Sequence, residues 1–129
     1  MLGRDGTVYL PLSAVAAIPA THYIHQVGGF TVIGWQYWFV DSNGDYVANA
    51  DGEVGIELQG RLIQKDGIGL AADTLKAGPW TRIGVAQNTP AGALIRDVTP
   101  IAVSQVRIVP TLITLGSGVS GLTALIRLS

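Results

Sequence analysis

Two histidines are the natural place to begin a chemical reading, because imidazole is the side chain best suited to proton transfer and metal ligation near neutral pH. His22 and His25 stand three apart within residues 21–27, a stretch that alternates around Tyr23 and His25 like a strand. Residues three apart on a strand point to opposite faces, so the pair cannot close on one metal ion. Cysteine is absent, and glutamate occurs only at Glu53 and Glu57, so few further ligands exist. The expectation is structural or surface histidines, with no metal site and no cofactor. A Ser–His–Asp hydrolase has its letters among six Ser and seven Asp. No Ser sits in a Gly-x-Ser-x-Gly elbow, however, and such an elbow needs a strand-to-helix turn. The chain reads as non-enzymatic.

Asp41-x-Asn43-x-Asp45 has the spacing of the first three ligands of a calcium loop. The twelfth position, where a bidentate Glu belongs, is Gly52, with Glu53 one place late. A hairpin turn at Asn43-Gly44 explains the same letters, since two residues tolerant of positive φ suit a two-residue turn. Gly67-Ile68-Gly69 lacks the Lys-Ser/Thr of a phosphate loop, and Gly116-Ser117-Gly118 reads as another turn.

Two sets of side chains remain as binding candidates. Trp35, Tyr37, Trp38 and Trp80, with Tyr23 and Tyr46, have the chemistry of a sugar-stacking platform, but aromatics in an apolar run are more commonly core or interface anchors. Arg61, Arg82, Arg96, Arg107 and Arg127 fall one per late strand, each near Leu, Ile or Val. Arginine lays its stem along apolar surface and leaves a planar fork for carboxylates. Five on one outer sheet face would bind an acidic neighbour; otherwise each is the solvated residue of its strand.

The elements that position these residues are strands. Val, Ile and Thr supply 35 of 129 residues, in short runs between Gly, Pro, Asn and Asp clusters. Strands are expected over residues 7–12, 21–27, 30–40, 54–63, 80–87, 93–98, 101–109 (with 111–115 resuming after Pro110) and 119–128. Residues 30–40 are apolar on both faces and are expected to be covered on both sides. In residues 54–63 Val54, Ile56 and Leu58 alternate with Gly55, Glu57 and Gln59, giving one wet face. A phase slip between Val103 and Val106 predicts a β-bulge near Ser104 or Gln105. Residues 64–79 form the longest loop, with room for a short helix around 71–76. The fold class is therefore all-β: an antiparallel β-sandwich or jelly roll of about eight strands over residues 21–129, with an N-terminal arm over residues 1–20.

Hydrophobic residues make up 48% and charged residues 13%, about half the usual charged share, at a net charge of −1. With Lys only at Lys65 and Lys76 there is no basic cluster for nucleic acid, and no apolar run is long enough for a membrane helix. A surface so weakly charged suits a subunit covered by neighbours. The N-terminus lacks a hydrophobic signal core, so synthesis in the host cytoplasm without secretion by a signal peptide is expected.

The Gly/Ala/Val/Thr-rich strands, the scarcity of Lys and the absence of Cys resemble small β-sandwich structural proteins of tailed bacteriophage virions, of the decoration, minor-capsid or spike-base type. Residues 101–109 (IAVSQVRIV), the Gly-Ser-Gly turn, residues 122–128 (LTALIRL) and the turn at 41–45 share that style. The likeness covers most of residues 30–129 and is one of style rather than motif, so no functional residue carries over. It implies a virion location, symmetric homo-oligomers, contacts with other virion proteins and a role in stabilising a particle. A lectin-like module on a receptor-binding appendage, with a glycan as ligand, is the alternative.

Overall fold

A computed structural model describes residues 7–27, 30, 32–63, 77–98 and 103–129, with the backbone alone for 93–98. Eight strands run β1 (Thr7–Val15), β2 (His25–Gln26), β3 (Ile33–Val40), β4 (Glu53–Arg61), β5 (Thr81–Gln87), β6 (Ala93–Val98), β7 (Gln105–Thr114) and β8 (Gly121–Leu128). They form two antiparallel sheets, ordered β1-β8-β3-β6 and β2-β7-β4-β5. Pairing is thus first with last, second with seventh, third with sixth and fourth with fifth. That is one long double ribbon wrapped into two packed sheets, the jelly-roll form of the β-sandwich.

Period-two alternation builds the core. Ile33, Trp35, Tyr37 and Phe39 of β3 point inward beside Leu122, Ala124, Ile126 and Leu128 of β8. Val54, Ile56 and Leu58 of β4 and Val106 and Ile108 of β7 face them from the other sheet, and all are buried. Trp35 stacks on Tyr37 at 5.9 Å, and Tyr37 meets Phe39 edge-on at 6.4 Å. The Tyr37 hydroxyl, inside the core, accepts the Thr89 N–H at 2.9 Å. The outward side of β3 is not fully covered: Gln36 is exposed, and Gly34 and Trp38 are half-buried. Within one chain, the opposite sheet covers the inward face of β3, and no N-terminal segment fully covers the outward one.

Several boundaries differ from those read in the sequence. β1 pairs with β8 from Thr7↔Leu128 to Val15↔Leu122, so these residues belong to the sandwich rather than to an arm. Two register shifts, after Tyr9 and after Leu12, interrupt its alternation and explain why residues 13–15 did not read as strand. Ala14 takes a positive φ of 49°, and its N–H is held by the Thr123 hydroxyl at 3.0 Å. Gly121 is required beneath it, because a Cβ there would run into the Ala14 backbone. Of residues 21–27 only His25 and Gln26 are paired. β7 continues through Pro110, and the bulge lies at Thr111, where Gly55↔Leu112 shifts to Ile56↔Pro110. A proline is tolerated there because it sits beside a bulge, and the described β2 pairing on the other side of β7 stops at Val106. The phase slip before Val106 is not a bulge but the strand's entry. Ser104 donates its N–H to the Arg61 carbonyl, and its hydroxyl accepts the Ile63 N–H. The loop and short helix expected over 64–79 fall largely on residues 64–76, outside the described residues.

The turn at 41–45 needs no metal. Asp41 Oδ1 accepts the N–H groups of Asn43 (2.9 Å) and Asp45 (3.0 Å), and Gly44 alone takes a positive φ, 83°. A single left-handed glycine after a carboxylate-capped turn replaces the two-residue turn expected from Asn-Gly.

One end of the sandwich is tied by Asn49, 1% exposed. Its amide donates to the Thr114 carbonyl, its side-chain oxygen accepts the Gly116 N–H at 2.7 Å, and its N–H reaches the Pro90 carbonyl. Three loops meet on this side chain and its backbone. Asn49→Leu removes the two side-chain bonds and strands buried partners, so a loss of about 2–4 kcal/mol is expected in urea unfolding. A variant within about 0.5 kcal/mol of the parent would contradict that role.

Candidate functional site

The outward positions of the β2-β7-β4-β5 sheet carry the only described cluster of charged side chains outside the loops. Because Val54, Ile56, Leu58 and Gly60 point inward, Glu57, Gln59 and Arg61 of β4 point out. The register then sets Arg107 of β7 and Arg82 of β5 on either side of Gln59, and Gln105 beside Arg61. Trp80 immediately precedes β5, whose Thr81 pairs with Gly60, so its indole reaches back across Arg61.

The result is a fixed platform. The Arg61 and Arg107 guanidinium carbons lie over the Trp80 ring, 4.3 and 4.2 Å from its centroid. Each such contact contributes about 1 kcal/mol where it is partly desolvated. Arg61 Nε donates to Gln105 Oε1, and Arg107 Nε donates to Gln59 Oε1, both at 2.8 Å. Gln59 in turn donates to Glu57 at 2.7 Å, and Glu57 lies 3.9 Å from the largely exposed Arg82 guanidinium. At this end of the face one carboxylate, Glu57, thus stands among three arginines, with Glu53 at the far end of β4. Burial, and then the nearby Arg61 charge, pull the Arg107 guanidinium below its ordinary pKa. Planar, charged forks held this way suit a carboxylate or another oxyanion.

Of the arginines read from the sequence, Arg61, Arg82 and Arg107 come together here. Arg127 points out from β8 in the opposite sheet and is exposed. Arg96 is on β6 of that same opposite sheet, and its side chain lies outside what is described. The five therefore do not form one row. The aromatics do not form one platform either. Trp35 (4% exposed) and Tyr37 (0%) are core and leave the set of surface candidates. Trp38 points out from the β1-β8-β3-β6 sheet and Trp80 from the other, on opposite faces of the molecule. Gln59 and Gln105, which orient the two guanidiniums, were missed as partners. Their signal was the pair of polar stripes Glu57-x-Gln59-x-Arg61 and Gln105-x-Arg107, whose register the sequence does not state.

The histidines lie apart. His25 is 8% exposed on the inward side, its ring 4.9 Å from that of Tyr9, which joins the two sheets at one edge. His22 lies near Arg107. Neither His22 Nδ1 nor His25 Nε2, both buried, has a hydrogen-bond partner among the described residues. Burial lowers both pKa values, and the Arg107 charge lowers that of His22 further. No group of three or more metal-ligating side chains occurs among the described residues. Comparison with protein-family models, curated proteins and solved structures finds no match to this chain.

These shifts set a pH dependence. With folded-state pKa values below the ordinary 6.5, the unfolded chain takes up protons first as pH falls. The histidine contribution to stability is complete above about pH 6.5 and is lost as pH drops below it, towards the lowered folded values. In thermal melts between about pH 7.5 and pH 5, His25→Phe should lose less Tm than the parent on acidification. Parallel losses would show that His25 is not protonated on unfolding.

Proposed function

We propose that the protein is a non-enzymatic structural subunit that assembles with copies of itself and with other proteins of a virion. The capsid-decoration, minor-capsid or spike- or fibre-base subunits of tailed phages are the type. The supporting observation is where the exposed apolar side chains fall. Six of the eleven large hydrophobics exposed among the described residues are Val8, Tyr9, Leu10, Ile18, Tyr23 and Ile24. They lie on β1 and on the chain leading to β2, the outer strands of the two sheets, joined by the Tyr9–His25 contact. One edge of the sandwich is therefore apolar, on a chain with only 13% charged residues. Patches of this kind mark contact surfaces.

The contact is made by side chains rather than by strand addition. Pro11 lacks an N–H, and the two register shifts bend β1, features that blunt an edge strand as a pairing template. The jelly-roll topology fits the reading and is one that capsid and lectin domains share.

Size-exclusion chromatography with light scattering at tens of micromolar tests the proposal. The parent chain should elute as a dimer or larger, and Val8→Asp with Leu10→Asp, both at exposed positions, should weaken association at least about tenfold with the fold intact. A parent that remains monomeric across that range contradicts the assembly role.

A further inference from the structure

The Arg61–Arg107 pair carries an inference beyond the apolar edge. Each guanidinium uses its Nε–H on a glutamine oxygen, and none of its terminal N–H groups has a hydrogen-bond partner among the described residues. Of the two carboxylates described on the outward face of β4, Glu57 is engaged by Gln59 and Arg82, and Glu53 lies at the far end of the strand. Two like charges are therefore held against one ring, pre-oriented by Trp80 and two amides, with their terminal N–H groups unpartnered among the described residues. Holding them there is unfavourable in isolation and favourable once a carboxylate is shared between them.

The chain carries matching charge elsewhere. Residues 41–53 hold Asp41, Asp45, Asp51 and Glu53 with no Lys or Arg. Asp45, Asp51 and Glu53 are exposed. They cannot reach the arginines within one molecule. Glu53 and Arg61 are the two ends of β4, and Arg107 is paired to Gln59 near the Arg61 end. At the rise of an extended strand, the separation is roughly 20–25 Å.

We propose that the Arg61–Arg107–Trp80 platform is a carboxylate-binding site whose occupant is the acidic 41–53 end of a second copy of this chain. The contact joins unlike patches, so it is made twice in a reciprocal two-fold dimer and once per copy in a head-to-tail ring or filament. It rests on the assembly reading above but uses a different surface, so the two can fail separately.

Charge reversal in the full chain tests it. Arg61→Glu with Arg107→Glu, and separately Asp45→Lys with Glu53→Lys, should each weaken association at least about tenfold. Mixing the two variants should restore it, and added salt should weaken the parent's association. Circular dichroism checks folding, and Arg61→Gln with Arg107→Gln, which keeps an amide donor at each position, replaces the first variant if it is unfolded. Failure of the mixture to re-associate overturns the proposal. So does weakening by the arginine variants alone, which would assign the site to a carboxylate from another molecule. If the Val8/Leu10 variant dissociates while every charge variant assembles like the parent, the apolar edge stands and this site does not. If the charge variants behave as expected and the Val8/Leu10 variant assembles normally, the reverse holds. A parent that is monomeric throughout contradicts both.

Discussion

The inward alternation of β3 against β4 and β7 is the constraint on which the rest depends. Ile33, Trp35, Tyr37 and Phe39 can be buried together only if Gly34, Gln36 and Trp38 face outward, and Val54, Ile56 and Leu58 likewise commit Glu57, Gln59 and Arg61 to the surface. A slip of one residue in β4 would drive Arg61 and Glu57 into the core, which hydrophobic burial on both sheets opposes. The arginine platform is thus a consequence of core register. β4 and β7 are locked by pairing from Glu53↔Thr114 to Arg61↔Gln105, and that register sets Arg107 diagonally from Arg61, where one indole covers both.

The perimeter is managed unequally. β5, at one edge, is broken between Ile83 and Gln87, with Gly84 at a positive φ of 76°. The end holding residues 41–52 is closed through Asn49. The β1 edge is also kinked, yet it leaves Val8, Tyr9 and Leu10 in solvent. Among the described residues, exposed apolar area thus concentrates on one edge and three arginines on one face, two surfaces of different chemistry.

Much of the fold was legible in the sequence, and the misses have physical causes. The span of β6, the strand starting near Val54 and the glycine turns at Gly44 and Gly118 follow from local alternation and positive φ. Residues 13–15 and the run through Pro110 were misjudged because bulges change the side-chain phase, and phase is what a pattern reads. Residues 21–27 look like a strand, yet only two of them find a paired partner, a tertiary matter. The outward orientation of Arg61 and Arg107 was readable from period two. Their convergence on Trp80 was not, because it depends on which strands pair and in what register.

The account's central claim is that the β1 edge of this sandwich is a contact surface. Hydrogen–deuterium exchange of the parent chain, compared between dilute and concentrated solution, tests it most directly. On concentration, exchange over residues 7–24 should slow while residues 93–98, on the strand at the opposite edge of the same sheet, exchange as before. Equal exchange over residues 7–24 in both solutions would contradict it.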